Sequence, residues 1–337
     1  MSVFRFKDVA GATYNGLALL YVAIGYALGL VAIAHGGLLF TVLGVLWLGH
    51  ALVIAAYLLH ECGHNAICST NADNARLGTV LTWVTGSCYG TYEDIRLKHF
   101  RHHVDNADVM WFESRKWFNN HPISARLVQL LEWFYIPAHD IVMHFIMVFS
   151  AFIIPARRSQ RLRNAIVILV RGVLFGLLVW FAPRVAFGYV VAYLLMITVL
   201  RFMDALQHDY GGMPVLFENF KMPHRGDRGY EQAHTFSNPL SLRHPWINLV
   251  VLNFGYHNAH HAKPTTPWFQ LPSLHQELFG NSEDRVILFW PSWKSFHRFR
   301  VTRVVGESTS IEGEAYLSVA RTGDVSGGNA VSFLTSF

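Results

Sequence analysis

The residues with the clearest chemical potential are histidines in three short groups. These groups are His60 and His64 in "HECGH", His99, His102 and His103 in "KHFRHH", and His257, His260 and His261 in "HNAHH". Spacings of three and four residues bring side chains onto one face of a helix. Neutral imidazole binds transition metals, so the three groups together predict a metal site assembled from distant parts of the chain.

The first group also matches the H-E-x-x-H pattern of zinc peptidases. In those enzymes the two histidines hold the metal and the glutamate, here Glu61, activates water. A catalytic zinc takes about three protein ligands and leaves one position open, whereas the three groups offer eight imidazoles. Eight ligands suit two metals, each with a vacant position. An intramembrane zinc peptidase is therefore kept only as a distant alternative.

The elements that must position these histidines are apolar. The chain is 52% apolar and 15% charged, and this charged fraction is well below the quarter or so that is usual for soluble domains. Stretches of about 20 apolar residues can cross a bilayer, and four are predicted, at 14–34, 38–59, 164–182 and 185–203. The formal net charge of +5 is too modest to indicate a nucleic-acid partner.

Four crossings in two hairpins would leave both termini and all three histidine groups on one face of the membrane. The segments 77–89, 127–155 and 246–254 are apolar but short or interrupted by charge, and they are predicted to lie at the interface. The basic run "RRSQRLR" at 157–163 indicates that this face is cytoplasmic. The predicted fold is all-α, with four membrane spans in two hairpins and a di-metal site just outside the bilayer on that face. We expect one membrane domain, 1–301, and a polar tail or β-prone appendage, 302–337.

The order H-x-x-x-H, H-x-x-H-H and H-x-x-H-H, separated by membrane spans, resembles the three histidine boxes of the integral-membrane fatty acid desaturase and hydroxylase superfamily. The resemblance covers 38–271, and "NFGYHNAHHAKP" and "HECGHNA" are close to the wording of the family. It implies a non-haem di-iron centre and a four-span fold with a cytoplasmic cap. It also implies O2-dependent oxidation of a C–H bond on an acyl chain.

The resemblance implies two further positions in "RFMDALQHDY". Desaturases carry an Asn-x-x-x-His pair there, and Asp204 and His208 occupy the matching places. His208 would be a ninth histidine ligand, and Asp204, which departs from asparagine, would bind metal directly or through water. The candidates for supporting the ring nitrogens that face away from the metals are Glu61, Asp94, Asp105, Asp108, Glu231 and His234.

The favoured function is a fatty acid desaturase that introduces a cis double bond, using two iron ions and O2. The sequence shows neither a nucleotide-binding glycine motif nor a fused cytochrome b5, so electrons are expected from a separate ferredoxin, rubredoxin or cytochrome. The first box is one residue shorter than in animal acyl-CoA desaturases, which favours a free fatty acid, an acyl lipid or another carrier. If the source is bacterial, the expected location is the inner membrane.

The same three histidine boxes are compatible with other reactions of the superfamily, and the sequence does not distinguish between them. A hydroxylase would add oxygen to the acyl chain, and a fatty acid decarboxylase would release CO2 and leave a terminal alkene. A non-enzymatic lipid receptor that keeps the fold is a further alternative.

Overall fold

The computed structural model describes residues 5–218, 221–280, 282–306 and 311–327, and in this part the chain is all-helical apart from isolated β-bridges. The α-helices are α1 (Val9–His35), α2 (Leu38–Gly63), α3 (Asn71–Thr85), α4 (Tyr92–Asp105), α5 (Ser114–Asn120), α6 (Pro122–Trp133), α7 (Ala138–Ile153), α8 (Arg161–Phe181), α9 (Pro183–Asp204), α10 (Arg228–Ala233), α11 (His257–Ala262), α12 (Leu271–Phe279), α13 (Phe289–Phe299) and α14 (Gly313–Ala320). Short 3-10 helices occupy Pro155–Gln160, Pro245–Val251, Trp268–Gln270 and Thr302–Val304.

Four helical segments are long and apolar enough to cross a membrane, which confirms the prediction of an all-α integral membrane protein. They are Val9–His35, Leu38–Gly63, Pro155–Phe181 and Pro183–Asp204. Large apolar side chains such as Leu169, Leu174 and Trp180 are exposed on α8, as expected for a surface that contacts lipid. Prolines at the start of the third and fourth segments fit the first helical turn, where no backbone N–H is needed.

Helices at the three predicted interfacial segments are too short to span. α7 has 16 residues, fewer than the roughly 20 needed to cross the hydrocarbon. α3 overlaps the predicted segment 77–89, and the 3-10 helix Pro245–Val251 covers most of 246–254. Their lengths agree with the prediction, and their position at the interface stays a prediction.

The chain divides into two compact units. The first, here the membrane unit, comprises residues 1–93 and 144–199, and the second unit comprises residues 94–143 and 200–336. In the membrane unit α1 and α2 approach closely through Gly25, Gly29 and Gly44. A Cβ added to Gly29 would lie 2.9 Å from Cβ of Leu48 and 3.0 Å from the backbone oxygen of Gly44, so only glycine allows this approach.

The second unit has a hydrophobic core to which the end of the chain contributes. Buried residues of this core are Ala205, Leu206, Phe236, Ile287, Phe296, Tyr316, Leu317, Ala320 and Val325. Three of them, Tyr316, Leu317 and Ala320, lie on α14, within the segment expected to be a polar tail or β-prone appendage. Within the described part of that segment, 302–306 and 311–327, Thr302–Val304 and Gly313–Ala320 are helical, and several side chains are buried.

A buried group of charges links three helices of the second unit. Arg201 on α9 contacts both carboxylate oxygens of Glu132 on α6, at 2.8 and 2.9 Å, and Oδ2 of Asp140 on α7, at 3.1 Å. Each of these side chains is almost fully buried. Removal of one partner would leave an uncompensated charge in the interior, so the group fixes the relative placement of the three helices.

Candidate metal centre

The first histidine group lies at the end of α2 in the membrane unit. His60 and His64 are buried, and their ring centroids are 4.8 Å apart. Glu61 is beside them, with Oε1 3.4 Å from Nδ1 of His60. The Tyr92 hydroxyl donates to the backbone oxygen of Cys62 at 2.6 Å, which anchors the helix end between the two histidines. His60 lies in the last turn of α2 and His64 directly follows the helix, so a spacing of four residues brings the two rings together.

The second group lies on α4, in the second unit, and all three of its histidines are buried. The Nε2 atoms of His99 and His103 are 3.1 Å apart, as one helical turn allows. Nδ1 of His102 lies 3.0 Å from the backbone oxygen of Ala107. Because a carbonyl can only accept, Nδ1 of His102 carries the proton and Nε2 keeps its lone pair.

The third group occupies the six-residue helix α11, and its histidines are also buried. The chain reaches this helix through a left-handed turn at Leu252 and Asn253, with φ of 44° and 58°. Gly255 then passes so close to another segment that an added Cβ would lie 2.8 Å from the backbone oxygen of Asn238. The N–H of Asn238 donates to the Gly255 carbonyl at 2.8 Å. This contact fixes where the short helix begins.

Histidines from three segments converge within the second unit. The donor atoms of His102, His208, His257 and His261 all lie within 4.8 Å of one another. Nε2 of His208 is 2.9 Å from Nε2 of His257 and 3.2 Å from Nε2 of His261. Two ligands held at right angles by metal–nitrogen bonds of about 2.1 Å would be separated by about 3.0 Å. The spacing of these nitrogens fits a shared metal ion.

A neighbouring set of nitrogens has the same spacing. Nε2 of His103 is 3.1 Å from Nε2 of His99 and 3.2 Å from Nε2 of His260. His103 also forms a group with His261 and Glu231 whose donor atoms lie within 4.8 Å of one another. The second and third histidine groups therefore meet in two adjacent clusters, as the sequence predicted.

Burial favours, for two rings of the four-histidine cluster, the neutral form that metal binding requires. Burial lowers the pKa of His208 well below its usual value, and the nearby His102 and His260 lower this pKa further. Burial likewise lowers the pKa of His261, with smaller contributions from four neighbouring histidines. Uncharged rings offer lone pairs, so the donor set suits a divalent transition metal.

Two of the predicted supporting carboxylates contact the clusters. Oε1 of Glu231 lies 2.8 Å from Nδ1 of His261 and 3.6 Å from Nδ1 of His103. Oδ1 of Asp108 lies 3.6 Å from Nδ1 of both His102 and His208. The 2.8 Å contact is a hydrogen bond, so Glu231 fixes the proton on Nδ1 of His261 and directs its Nε2 towards a metal. The contacts of Asp108 are too long for hydrogen bonds.

The other predicted supporting residues have different surroundings. Asp105 is buried against Arg101, at 2.7 Å, and Arg225, at 3.3 Å. The Nδ1–H of His234 donates to Oδ1 of Asp209 at 2.8 Å, and His234 does not belong to the histidine clusters of the described residues. Asp94 is half-buried near the start of α4.

Asp204 and His208 are both buried at the end of α9, and only His208 has a donor atom in the four-histidine cluster. Asp204 interacts electrostatically with Lys98. Burial lowers the pKa of Lys98 to about 7, and the charges of Asp204 and Asp108 oppose this shift. Burial also raises the pKa of Asp108 to about 7, which the charge of Lys98 opposes.

Three residues near the clusters were missed by sequence reasoning. Lys98 precedes His99 directly and is buried, and Tyr210 follows His208 by two residues and stacks on it with centroids 4.6 Å apart. Arg228 contacts Glu231 through Nη1. Lys98 and Tyr210 are close in sequence to candidate ligands, and Arg228 lies three residues before Glu231, but proximity along the chain does not tell which side chains turn inwards.

Comparison with known families shows what the chain is similar to. The family described as "Fatty acid desaturase" matches residues 36–293, which is more than half of the chain. This range includes all nine candidate histidine ligands and both hairpin loops. Comparison with curated proteins gives no match.

Proposed function

The chain belongs to the fatty acid desaturase family, and from this premise we propose that it is an O2-dependent di-iron desaturase. Membership makes it a membrane oxidoreductase that acts on fatty acyl chains. The proposed reaction converts –CH2–CH2– to –CH=CH– while O2, two electrons and two protons give two molecules of water. The observation that carries the proposal is the convergence of imidazole nitrogens at about ligand-to-ligand distance, with a carboxylate behind one of the rings.

We assign two iron ions to nine histidines. They are His60, His64, His99, His102, His103, His208, His257, His260 and His261, with Asp204 as a further ligand of metal or of bound water. Seven of these histidines lie in the clusters of the second unit, and His60 and His64 are assigned because they form the first box of the family. An all-imidazole donor set of this size exceeds the need of one catalytic zinc and suits iron.

When bound, the irons would supply activation of O2 and abstraction of hydrogen from the acyl chain. The protein residues have the tasks of holding and orienting. Glu231 retains the Nδ1 proton of His261, and the Ala107 carbonyl does the same for His102, so that both Nε2 atoms remain free to bind metal. The burial of every histidine in the clusters excludes bulk water, which protects reactive species from side reactions.

We further propose that the histidine clusters face the cytoplasm, and that a bacterial source would place the protein in the inner membrane. The support is the basic run 157–163, which flanks the third span. Arg163 of this run donates to the backbone oxygen of Cys88 at 2.8 Å, and Arg157 donates to that of Tyr89 at 3.1 Å.

The test is expression in a host of known lipid composition, followed by mass spectrometry of its fatty acids. We expect acyl chains that have lost two hydrogens, at a defined position, in cells that make the protein. The His257→Ala variant should give no product, whereas His244→Ala, which changes an exposed histidine, should retain activity.

Other products would overturn desaturation in different ways. An acyl chain with an added oxygen would indicate a hydroxylase, and a terminal alkene one carbon shorter would indicate a decarboxylase. Desaturation that survives in His257→Ala would contradict the assignment of His257 as an iron ligand.

A further inference from the structure

A stack of aromatic rings connects the protein surface with a candidate metal ligand in the second unit. His224 is exposed, and its ring lies on Tyr230 with centroids 3.8 Å apart and an interplanar angle of 6°. Tyr230 is half-buried and stacks on Tyr210 at 6.2 Å and 22°. Tyr210 is buried and stacks on His208 at 4.6 Å and 21°. The four rings form a continuous path from solvent to the histidine cluster.

The buried end of this path touches the cluster at two ligands. The ring of Tyr210 lies 5.7 Å from that of His102 as well as 4.6 Å from that of His208. Its hydroxyl is fixed by Thr235, whose Oγ1 is 2.8 Å away. The phenol is thereby held in place between two candidate metal ligands.

The outer end of the path is fixed to α4, which carries the second histidine group. Nδ2 of Asn106 donates to the backbone oxygens of His224, at 2.7 Å, and Asp227, at 2.9 Å. The Gly226 N–H donates to the backbone oxygen of Val104 at 2.8 Å. The exposed histidine therefore sits on a rigid support.

Three exposed cations lie within four residues of His224 in the chain. Lys221, Arg225 and Arg228 are exposed, and together with His224 they are called the docking face below. The carboxylates that pair with two of these cations lie behind them and are buried: Asp105 behind Arg225, and Glu231 behind Arg228. The one carboxylate within the segment, Asp227, accepts from the backbone N–H of Tyr230.

Arg228 also ties the docking face to the third histidine group. Its Nη2 donates to the backbone oxygens of His261 and Ala262, each at 2.9 Å. Its Nη1 contacts Glu231, which bonds to Nδ1 of His261. Arg228 thus links the docking face to the histidine cluster through hydrogen bonds and an ion pair.

We propose that an acidic one-electron carrier protein binds at the docking face, and that electrons reach the metal at His208 through His224, Tyr230 and Tyr210. The inference rests on the proposed function, since a desaturase needs two electrons from outside. Each reduced carrier gives up one electron, so two carriers are oxidised for each double bond formed. The rings act as a tunnelling path and keep their own oxidation state.

Charge complementarity selects the partner. Positive side chains on a protein surface attract a negatively charged partner and raise its rate of association, and this attraction weakens as salt is added. A flat stack that begins at an exposed ring also gives a carrier a short electronic path once it is bound. A purely lipid-binding surface would require the charges but not the stack.

Binding is tested with a plant-type [2Fe–2S] ferredoxin and the full chain in nanodiscs of neutral phosphatidylcholine, by microscale thermophoresis. We expect the Lys221→Glu/Arg225→Glu variant to bind ferredoxin about tenfold more weakly at low salt, a reasonable sum for two exposed charge pairs. The difference should shrink at high ionic strength. Asp105 keeps its contact with Arg101 in this variant, so the fold should be retained.

The matched control makes the same charge changes on α13. Lys294 and Arg298 are an exposed lysine and arginine four residues apart, and Lys294→Glu/Arg298→Glu should bind ferredoxin as the wild type does. Equal binding by the docking-face variant, or wild-type binding that salt does not weaken, would overturn the docking proposal. Anionic lipid headgroups would then be the expected ligands of the docking face.

The route is tested at Tyr230 by anaerobic stopped-flow, following oxidation of reduced ferredoxin. Tyr230→Leu should slow electron transfer several-fold with ferredoxin affinity and iron content unchanged, and Tyr230→Phe, which keeps the ring, should not. Equal rates in the two variants would exclude the stack as the route. If the protein holds iron and forms product with a chemical reductant but shows none of these effects, the proposed function stands. Only the proposed docking face and electron route are then excluded.

Discussion

Glu231 contacts a candidate metal ligand with one carboxylate oxygen and a surface arginine with the other. One oxygen lies 2.8 Å from Nδ1 of His261, and the other contacts the guanidinium of Arg228. Burial raises the pKa of Glu231 to about 7, and the charge of Arg228 opposes this rise. Arg228 therefore helps to keep the carboxylate ionised, and the carboxylate in turn increases the basicity of the ring.

Replacement of Glu231 by glutamine should weaken iron binding. The amide keeps the size of the side chain and one acceptor oxygen but loses the charge, and loss of such a partner typically lowers metal affinity about 10–100-fold. The measurement is the iron retained by purified protein during dialysis against a graded series of chelator concentrations.

Glu277→Gln is the matched control for this variant. Glu277 is an exposed carboxylate paired with Lys263, and its loss should leave iron retention unchanged. If Glu231→Gln and Glu277→Gln retain iron equally, the contact between Glu231 and His261 does not tune the metal site.

At the residue scale, the sequence identified the candidate histidine ligands more securely than the carboxylates that support them. Box spacing is local, so helix geometry alone brings His99 and His103 together. The supporting carboxylates were chosen by proximity along the chain, and this criterion cannot tell an inward from an outward side chain. Asp105 illustrates the failure, because it follows the second box directly and yet binds two arginines.

At the element scale, the first hairpin depends on small residues where α1 and α2 meet. "GYALG", from Gly25 to Gly29, is a G-x-x-x-G sequence, in which two glycines one turn apart allow close backbone approach in a membrane. Gly29 contacts Leu48 and Gly44 of α2, so no larger side chain fits without displacing the helix.

Replacement of Gly29 by leucine should destabilise the protein by about 1–3 kcal/mol, the usual cost of overpacking a well-packed interior. The measurement is the thermal midpoint of unfolding in detergent. Gly16→Leu in the same helix is the control, because a Cβ there has no described atom within 4 Å. A midpoint that falls equally in both variants would show that the close approach of α1 and α2 does not contribute to stability.

The sequence predicted the helices better than it predicted the final segment. Long apolar runs predict spans because the bilayer sets their length, and each predicted span corresponds to a helix in the structure. The segment 302–337 is polar and rich in glycine and serine. The few apolar residues with which α14 and its flank pack into the core of the second unit therefore gave no recognisable signal. Four buried positions are too few to produce a clear pattern.

At the scale of the whole molecule, the family and the metal-binding chemistry could be predicted from sequence, whereas the outcome of the reaction could not. Three boxes separated by spans indicate the family because each box and each hairpin constrains the others. Desaturation, hydroxylation and decarboxylation share these residues, and they differ in how the acyl chain is held against the metals. That placement depends on packing between residues far apart in the chain.

The route for electrons also emerges only from the assembled molecule. His208 and Tyr210 are near neighbours in sequence, but Tyr230 and His224 reach them through a separate loop. No periodic pattern links these four rings, so they could be recognised as a stack only from coordinates.

The most direct test of the central claim is the metal content of the purified protein, measured by elemental mass spectrometry after expression in iron-supplemented medium. We expect two iron ions per chain in the wild type and in His234→Ala, whose histidine pairs with Asp209, and a marked loss of iron in His208→Ala. A single metal ion per chain, or a metal content that His208→Ala leaves unchanged, would rule out the proposed di-iron centre.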